Sequence, residues 1–367
     1  MLNRRDILKS GTACAAAALF LPRFVHAEEA VFAPAPGKWR EFEITTQIDI
    51  PNPGGKVQAW IPLPSVNEDE WIKAGQNSWE TNAATAEVAT DPKYGTKILH
   101  IVFKDGETAP TVTLKSRFSA QDRAADLSKT KEVKPLSDAE RALNLEVTEL
   151  MPLDGIVKET ADKIVAGKTT DIEKAQAIFD WVVANTFRDP KTRGCGTGDV
   201  ASMLKSGNLG GKCADLNAIN VALLRAAGVP ARDVYGIRVA PSKFGYKSLG
   251  VGSATITKAQ HCRSEVWLEG HGWVATDPAD VRKVILEEPP GNNAPDSPKV
   301  VAAKKGLFGS WEGNWLGYNV AHDVVLPGST HKVAFLMYPQ AEVAGALLDC
   351  LDPDNFKYTI TSAELSA

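Results

Sequence analysis

One cysteine lies at a predicted helix start, where the local chain favours the nucleophilic form of its thiol. Cys213 follows the glycine pair Gly210-Gly211 and Lys212, and it opens a segment with helical apolar spacing. The positive end of a helix and the Lys212 ammonium both favour the thiolate, which is the reactive form of cysteine. A cysteine by itself is more often a small buried apolar residue. Cys213 therefore becomes a candidate nucleophile only together with a base.

A histidine and an aspartate downstream supply that base. His261 starts a run that alternates as a strand does, and residues 269–271 form a turn before a second strand, which runs up to Asp277. With a three-residue loop, Leu268 faces Gly272, and Asp277 lies on the same face as His261, as its diagonal neighbour. Diagonal neighbours are about 7–8 Å apart, a distance that side chains can bridge. A two-residue loop would place Asp277 on the other face, so the inference depends on this turn.

Together the three residues predict acyl-transfer chemistry. An acid that orients an imidazole, which in turn faces a thiolate, is the arrangement of a catalytic triad. Cys213 would be the nucleophile, His261 would move the proton, and Asp277 would orient the ring. Considered separately, His261 and Asp277 have ordinary structural explanations. The backbone N–H of Cys213 is a candidate donor to the oxyanion.

The elements that must position these residues are predicted from apolar spacing and turn signals. Helices are expected over 171–185 and over 213–227. In the same part of the chain, strands are expected over 233–239, 265–268 and 272–276 and, beyond a loop at 288–298, over 332–338. Upstream, four short strands bounded by turn residues predict a small β-sandwich, over 42–48, 57–61, 97–103 and 111–118.

The chain is long enough for two or three domains. Its 367 residues are 44% hydrophobic and 23% charged, as in ordinary folded proteins. The expected order is a signal peptide at 1–27, a β-rich N-terminal domain at 28–125, a helical connection at 126–165, a catalytic domain at 166–290 and a C-terminal extension with strands at 291–367.

Four strings carry a resemblance to a known family. The strings 211–217 (GKCADLN) and 223–232 (LLRAAGVPAR) look like the nucleophile helix of the transglutaminase-like superfamily. The strings 261–265 (HCRSE) and 272–278 (GWVATDP) look like its histidine and aspartate strands, in the family's order of Cys, His and Asp. One departure is Arg263, which stands where the family often has tryptophan, and it leaves the pocket shape and the substrate open.

The resemblance implies an α+β fold of the papain-like cysteine protease type. A core of helices packed on an antiparallel sheet would follow a β-rich, sandwich-like domain, which loosely resembles the accessory domains of bacterial members. The resemblance also implies that Cys213 attacks an amide or peptide carbonyl, that His261 protonates the leaving amine, and that Asp277 supports His261. No cofactor is implied.

The same chemistry leaves more than one function open. Water would release the thioester in a peptidase or amidase, whereas an amine would release it in a crosslinking enzyme. We expect hydrolysis, with a peptide or protein amide as substrate, cell-envelope amides included. The alternatives are a non-catalytic periplasmic binding or scaffold protein with this fold, and an acetyltransferase-like enzyme. The sequence assigns no substrate-binding residue.

The first 27 residues have the pattern of an export signal. Arg4 and Arg5 precede an apolar run over about 11–21, and the residues at 25–27 suit signal cleavage. The arginine pair resembles the motif of a twin-arginine signal, with an ordinary secretory signal as the alternative. The segment holds four basic residues and one acidic residue, so its removal changes the net charge from −4 to −7. We therefore expect a periplasmic protein with no nucleic-acid partner and no stable membrane insertion after cleavage.

Export implies an oxidising compartment, in which exposed cysteine pairs tend to form disulfides. The mature chain has Cys195, Cys213, Cys262 and Cys350. If Cys213 stays a free nucleophile, at most one bridge forms, and Cys195–Cys262 is the favoured pair. Cys195 lies in the glycine-rich loop before the nucleophile, and Cys262 points to the strand face opposite His261. The alternative is that the three remaining thiols are all single and buried.

Other polar and aromatic residues have less specific signals. No HxxxH or CxxC spacing indicates a metal site. We expect surface positions for His322, Asp323 and His331. The core is favoured over a substrate groove for three aromatic residues, Trp311, Trp315 and Tyr318. Three polar residues that flank the nucleophile are candidates for substrate contact, with a helix cap as the alternative for the first: Asp199, Asp215 and Asn217.

Overall fold

The structure is a computed structural model that describes residues 31–366, so the predicted signal peptide lies outside the described residues. In chain order the strands are β1 (Arg40–Asp49), β2 (Val57–Pro62), β3 (Ile72–Thr81), β4 (Thr85–Thr90), β5 (Lys97–Val102), β6 (Thr111–Ala120), β7 (Arg123–Ala124), β8 (Phe187–Arg188), β9 (Gly210–Gly211), β10 (Ala231–Arg238), β11 (Gln260–Leu268), β12 (Gly272–Thr276), β13 (Ser310–Trp311), β14 (Trp315–Asn319), β15 (His322–Val325), β16 (Lys332–Phe335), β17 (Gln340–Val343), β18 (Ala346–Leu347) and β19 (Tyr358–Ser366).

The helices are α1 (Asp138–Leu143), α2 (Gly155–Val165), α3 (Asp171–Asn185), α4 (Val200–Ser206), α5 (Cys213–Ala226), α6 (Pro278–Glu287) and α7 (Pro298–Gly306). The helix predicted over 171–185 is confirmed with the same bounds. Its start is a capping box, in which Thr170 and Glu173 satisfy each other's backbone N–H groups. Within residues 31–366, no helix combines the length and the apolar character that crossing a membrane requires.

The predicted β-rich part is a sandwich of two antiparallel sheets. One sheet has the order β19-β1-β6-β3, and the other has the order β18-β17-β2-β5-β4. Apolar residues alternate along β1 and β6, so one face of each strand is buried. From that face Ile48 and Leu114 meet Ile61, Leu99 and Phe103 of the second sheet. The space between the sheets is therefore an apolar core.

The C-terminal strands depart from the order of domains along the chain. We expected 291–367 to be an extension, but β19 pairs with β1, and β17 pairs with β2. From the same stretch, β14 pairs with β10 of the catalytic sheet. Antiparallel pairing needs only a free strand edge, whatever its distance along the chain. The range 291–367 thus supplies strands to both parts of the molecule.

The catalytic part is built around α5. Its antiparallel sheet has the order β12-β11-β10-β14, and α5 packs on β10 and β11 and against α2, α3 and α6. The predicted helix is confirmed, and it ends one residue early, at Ala226. Every residue of α5 is buried, although its apolar residues suggested a single stripe. A helix that is covered on all sides is the centre of its domain, so its polar residues need partners inside the protein.

A buried ionic network joins the sandwich to the catalytic sheet. Glu265 of β11 accepts hydrogen bonds from Arg123 of β7 and from Arg232 of β10, and Arg232 also pairs with Glu68 at 3.2 Å. Burial alone would raise the pKa of Glu265, but the two guanidiniums hold that pKa below its usual value. The guanidinium of Arg123 also lies over the ring of Trp71. The two parts therefore share fully engaged charges as well as apolar contacts.

Candidate active site

The strand register brings His261 and Asp277 together. Leu268 pairs with Gly272, so the turn spans the three residues 269–271, as the sequence predicts. Nε2 of His261 lies 2.7 Å from Oδ2 of Asp277, and both side chains are buried. The carboxylate thus holds one nitrogen of the ring, and the other nitrogen, Nδ1, is left for the thiol.

Cys213 is the first residue of α5 and is 3% exposed. The chain before it is held by the short parallel pair β8–β9. Burial alone would raise the pKa of the thiol. The nearby thiols of Cys195 and Cys262 and the charged ring of His261 instead hold the pKa of Cys213 well below its usual value. These surroundings therefore favour the thiolate form of Cys213.

The imidazole carries the matching positive charge. Burial and the nearby Arg238 lower the pKa of His261, but Asp280 and Asp277 outweigh them and raise it to about 9. The two shifts are in opposite directions, so both favour a thiolate beside an imidazolium. A nucleophile and an acid that are both in their active forms can attack an acyl group and protonate its leaving group.

Asp280 is a second carboxylate at His261, and the sequence analysis missed it. Its Oδ1 lies 3.4 Å from Nε2 of His261, and Arg238 donates to its two oxygens at 2.5 and 2.7 Å. Despite burial, Arg238 and His261 hold the pKa of Asp280 well below its usual value. Asp277 caps α6 and accepts the backbone N–H of Asp280 at 3.0 Å. A signal was available, because Pro278 after Asp277 and an acid at 280 mark a helix start.

His261, Asp277 and Asp280 each offer one potential metal-ligand atom, and these atoms lie within 4.8 Å of one another. Nε2 of His261 is already bonded to Asp277, and the guanidinium of Arg238 occupies both oxygens of Asp280. A metal ion here would face the charge of Arg238 at close range. The group is suited to orienting the imidazole.

Arg263 stands where the family resemblance led us to expect tryptophan. Its guanidinium lies 4.7 Å from the ring centre of Trp315 and 5.3 Å from that of Trp311, and Nη1 donates to the carbonyl of Glu312. Nε lies 3.8 Å from Oδ2 of Asp277. Burial lowers the pKa of Arg263 to about 10, so it stays charged at neutral pH. The two tryptophans are core residues, as predicted, and Arg263 adds a positive charge beside Asp277.

Asp215 holds the loop in front of the nucleophile. Its carboxylate accepts the backbone N–H groups of Thr197 and Gly198 at 2.9 Å and that of Lys212 at 3.0 Å. Gly196 lets the loop approach this closely, because its φ is +94° and a Cβ there would lie 1.8 Å from Oδ2 of Asp215. The contacts of Asp215 are thus with the backbone of its own loop.

Asn217 and Asp199 also have partners within the protein. Nδ2 of Asn217 donates to the carbonyl of Cys262 at 2.9 Å and to Oδ1 of Asp277 at 3.2 Å. Asn217 therefore links the nucleophile helix to the acid of the triad. Asp199 caps α4 by accepting the backbone N–H of Ser202, which is the alternative that the sequence allowed.

Two similarities connect this geometry with known proteins. The sequence model of the transglutaminase-like superfamily matches residues 158–278, a range that contains Cys213, His261 and Asp277. An uncharacterized protein of Haemophilus influenzae is 37% identical over 341 residues, which are 89% of this chain and 91% of that protein. The chain belongs to the transglutaminase-like superfamily.

The fold of this transglutaminase-like protein is also that of a solved structure. The crystal structure of a proposed cysteine protease from Cytophaga hutchinsonii has a TM-score of 0.53 to it, with 13% sequence identity, and covers 90% of this chain and 92% of that chain. At this identity the likeness shows the fold alone. The α+β fold, with helices packed on an antiparallel sheet, is thereby confirmed.

Three thiols of this superfamily member meet at the nucleophile. Cys195, Cys213 and Cys262 belong to one buried cluster. The thiol of Cys195 donates to the carbonyl of Gln260 at 3.3 Å, and that of Cys262 donates to the sulfur of Met337 at 3.8 Å. The four cysteines of the described residues are free, so the predicted Cys195–Cys262 bridge is not formed in this structure. Disulfide pairing of these cysteines in an oxidising compartment stays a prediction. Thiol counting on denatured, unreduced protein checks it: four free thiols agree with this structure, and two indicate one bridge.

His322 is buried, so our expectation of a surface position was wrong. The hydroxyl of Tyr235 lies 3.2 Å from its Nδ1, and Asp233 lies 3.6 Å from its Nε2. The hairpin β15–β16 covers this site, where Phe335 stacks on Tyr235. Burial lowers the pKa of His322 well below its usual value and raises that of Asp233 to about 7. His331, in contrast, is partly exposed.

A cavity of about 460 Å³ opens in front of Cys213 and His261. Six cationic side chains line it: Arg188, Arg193, Lys212, Arg238, Lys258 and Lys283. Apolar side chains line it too, among them Leu351, Phe356 and Tyr358. These three belong to the C-terminal stretch, outside the residues that match the superfamily, and for that reason the sequence analysis assigned them no role.

Proposed function

We propose that this protein is an exported thiol enzyme that hydrolyses amide bonds of peptides through a thioester intermediate. One observation carries the proposal. Cys213, at the start of a buried helix, lines the same cavity as His261, whose Nε2 is held 2.7 Å from Asp277. This arrangement supplies a nucleophile, a proton donor and an orienting acid at the wall of an open cavity.

The proposed reaction has two steps. The Cys213 thiolate attacks the carbonyl carbon, the C–N bond breaks, and the proton on Nδ1 of His261 passes to the leaving nitrogen. The neutral imidazole then takes a proton from water, whose oxygen attacks the thioester, and the thiolate leaves as the acid product departs. The Cys213 N–H lies in the first turn of α5 and has no intrahelical acceptor, so it is a suitable donor to the oxyanion.

The same thioester can pass to an amine, which would make the protein a crosslinking enzyme. Hydrolysis is favoured because the cavity is open to solvent, so that water reaches the thioester. The test is to incubate the mature protein with peptide amides in ¹⁸O-labelled water, with and without an added primary amine. Mass spectrometry then reports labelled acid, amine adduct or acyl-enzyme.

Two cysteine variants control this experiment. Cys213→Ala removes the proposed nucleophile, whereas Cys350→Ala removes another thiol that lines the same cavity. We expect label in the product acid with wild-type protein and with Cys350→Ala, and none with Cys213→Ala. An amine adduct as the main product would replace hydrolysis with crosslinking. No Cys213-dependent product from any peptide would favour the second candidate, a binding or scaffold protein that retains the fold.

Export is part of the proposal, and it is based on the sequence of residues 1–27. Replacing both Arg4 and Arg5 with lysine should leave the precursor in the cytoplasm if the twin-arginine pathway carries it. Normal accumulation of this variant in the periplasm would indicate the ordinary secretory route.

A further inference from the structure

The charge of the cavity is opposite to that of the protein. The chain as a whole has a net charge of −4, with 45 acidic residues. The cavity is lined by six cationic side chains, and among the described residues no aspartate or glutamate lines it. A concave site of one charge attracts ligands of the other charge and repels its own. The lining thus selects for negative charge beside the nucleophile.

The arginines of this lining are already neutralised. Each of them pairs with a carboxylate that is not itself part of the cavity wall: Arg238 with Asp280, Arg188 with Glu287, and Arg193 with Asp349 at 2.5 Å. Asp280 is fully buried and is also committed to His261. These three arginines therefore shape the cavity but contribute little net charge to it.

The lysines of the lining are not neutralised in this way. Within residues 31–366, no carboxylate lies within 4.0 Å of the ammonium of Lys212 or Lys258. In the same range, the one carboxylate within 4.0 Å of the Lys283 ammonium is that of Glu287, at 3.9 Å, which Arg188 engages more closely. Three ammonium groups thus face one cavity. The carboxylate of Glu287, near Lys283, is shared with Arg188.

The pKa of Lys283 shows the effect of burial and of nearby positive charge. Its side chain is 19% exposed, and burial together with the charge of Arg238 lowers its pKa to about 8. A cation that is partly desolvated beside other cations is stabilised when an anion arrives. A ligand carboxylate in the cavity would supply that missing partner.

We propose that the acyl donor of this enzyme is an acidic peptide, with a carboxylate near the cleaved amide that binds Lys212, Lys258 and Lys283. An adjacent apolar side chain of the peptide packs on the wall formed by Leu351 and Phe356. This inference depends on the proposed function, because it names the substrate class of the same site. It also explains why the apolar and the cationic residues line one cavity.

Binding can be measured apart from catalysis. The full mature chain carrying Cys213→Ala is titrated with a fluorescent Leu-Ala-Glu-Ala-Leu amide and with the same peptide containing Gln in place of Glu. We expect the Glu peptide to bind about tenfold more tightly, as charge-assisted hydrogen bonds to lysine provide. The difference should shrink as ionic strength rises, since salt screens these contacts. Equal affinity for the two peptides at low salt would overturn the inference.

Charge variants locate the effect. In the same background, Lys258→Gln and Lys283→Gln should each reduce the preference for the Glu peptide several-fold. Lys168→Gln is the matched control, since Lys168 is exposed and lies outside the cavity lining. Lys258 is exposed as well, so its replacement leaves the core intact. A preference unchanged in both cavity variants would also overturn the inference.

Turnover distinguishes this inference from the proposed function. If enzyme with Cys213 intact cleaves the Gln peptide as fast as the Glu peptide, the substrate class is wrong and the function stands. If the Glu peptide binds with the expected preference but no acyl-enzyme forms on Cys213 with either peptide, the acidic site stands and the proposed hydrolase fails.

Discussion

His261 is held by two carboxylates at the same nitrogen, and the two have different roles. Asp277 accepts from Nε2 at 2.7 Å, whereas Asp280 lies 3.4 Å away and is committed to Arg238. The first carboxylate fixes the ring. The second, with its low pKa, supplies permanent negative charge that favours the imidazolium.

This division of roles predicts unequal effects of two substitutions. His261→Ala should reduce kcat by at least about 10³-fold, because no other group moves the proton. Asp277→Asn should cost about 10²-fold, since Asp280 remains beside Nε2 as a second acceptor. Single-turnover kinetics with folded variants, checked by circular dichroism, would measure both. Equal losses in the two variants would contradict the assignment.

The protonation states predict the pH profile. The reaction needs the Cys213 thiolate, which is lost as pH falls through a pKa well below the usual value for cysteine. It also needs the imidazolium, which is lost as pH rises through about 9. Activity should therefore be level around neutral pH and should fall above about pH 9.

Iodoacetamide labelling tests the acid limb of that profile. Wild-type Cys213 should react at mildly acidic pH, and His261→Ala should need a higher pH, because the neighbouring cation is gone. Identical labelling profiles for the two proteins would show that His261 does not lower the pKa of Cys213.

At the scale of elements, the start of α5 depends on the loop before it. The carboxylate of Asp215 accepts three backbone N–H groups of this segment. In the loop, the carbonyl of Cys195 accepts the backbone N–H of Ala214 at 2.9 Å, next to the nucleophile. The position of the thiol is thus set by the loop as much as by the helix.

Two glycine substitutions distinguish the stability cost of backbone strain from that of a steric clash. Gly207→Ala places a side chain at φ +69° in open space and should cost about 1–2 kcal/mol of unfolding free energy. Gly196→Ala has a positive φ as well and also collides with Asp215, so it should cost roughly 2 kcal/mol more. Denaturant unfolding measures both costs, and alkylation of Cys213 should slow only in Gly196→Ala. Equal unfolding costs would contradict the close packing of this loop.

At the scale of the whole molecule, the C-terminal stretch binds the parts together. β19 forms an edge of the sandwich beside β1. Its first residue, Tyr358, and Phe356, just before the strand, line the cavity in front of Cys213. Glu265 joins the catalytic sheet to Arg123 near the end of the sandwich. We therefore expect the sandwich and the catalytic part to unfold together.

A pair of substitutions in β19 tests that expectation. Ile360 is 1% exposed, and Ile360→Ala should lower unfolding free energy by about 2–5 kcal/mol in one calorimetric transition that also exposes the active site. Leu365, in the same strand, is 44% exposed, and Leu365→Ala should cost less than about 1 kcal/mol. Two transitions, of which only one shifts in Ile360→Ala, would show that the parts unfold independently.

The sequence by itself predicted the proposed triad and determined most of the elements that present it. Cys213 lies at a helix start that is marked by local glycines, and His261 and Asp277 lie on one hairpin whose register depends on three turn residues. Helix starts and hairpin registers are set by neighbours along the chain. For this reason residue types and spacing were sufficient for these elements and for the β-sandwich, whereas the α+β fold was implied by the resemblance to the superfamily.

Only the tertiary structure decided which distant residues complete the site. Asp280 and Arg238, the meeting of Cys262 with the nucleophile, the burial of His322 and the apolar wall at 351–358 all arise where separate segments pack together. Apolar periodicity tells which face of an element is buried but not which element covers it. Pairing of β19 with β1 and of β14 with β10 placed the C-terminal stretch in both parts, and no spacing along the chain encodes that choice.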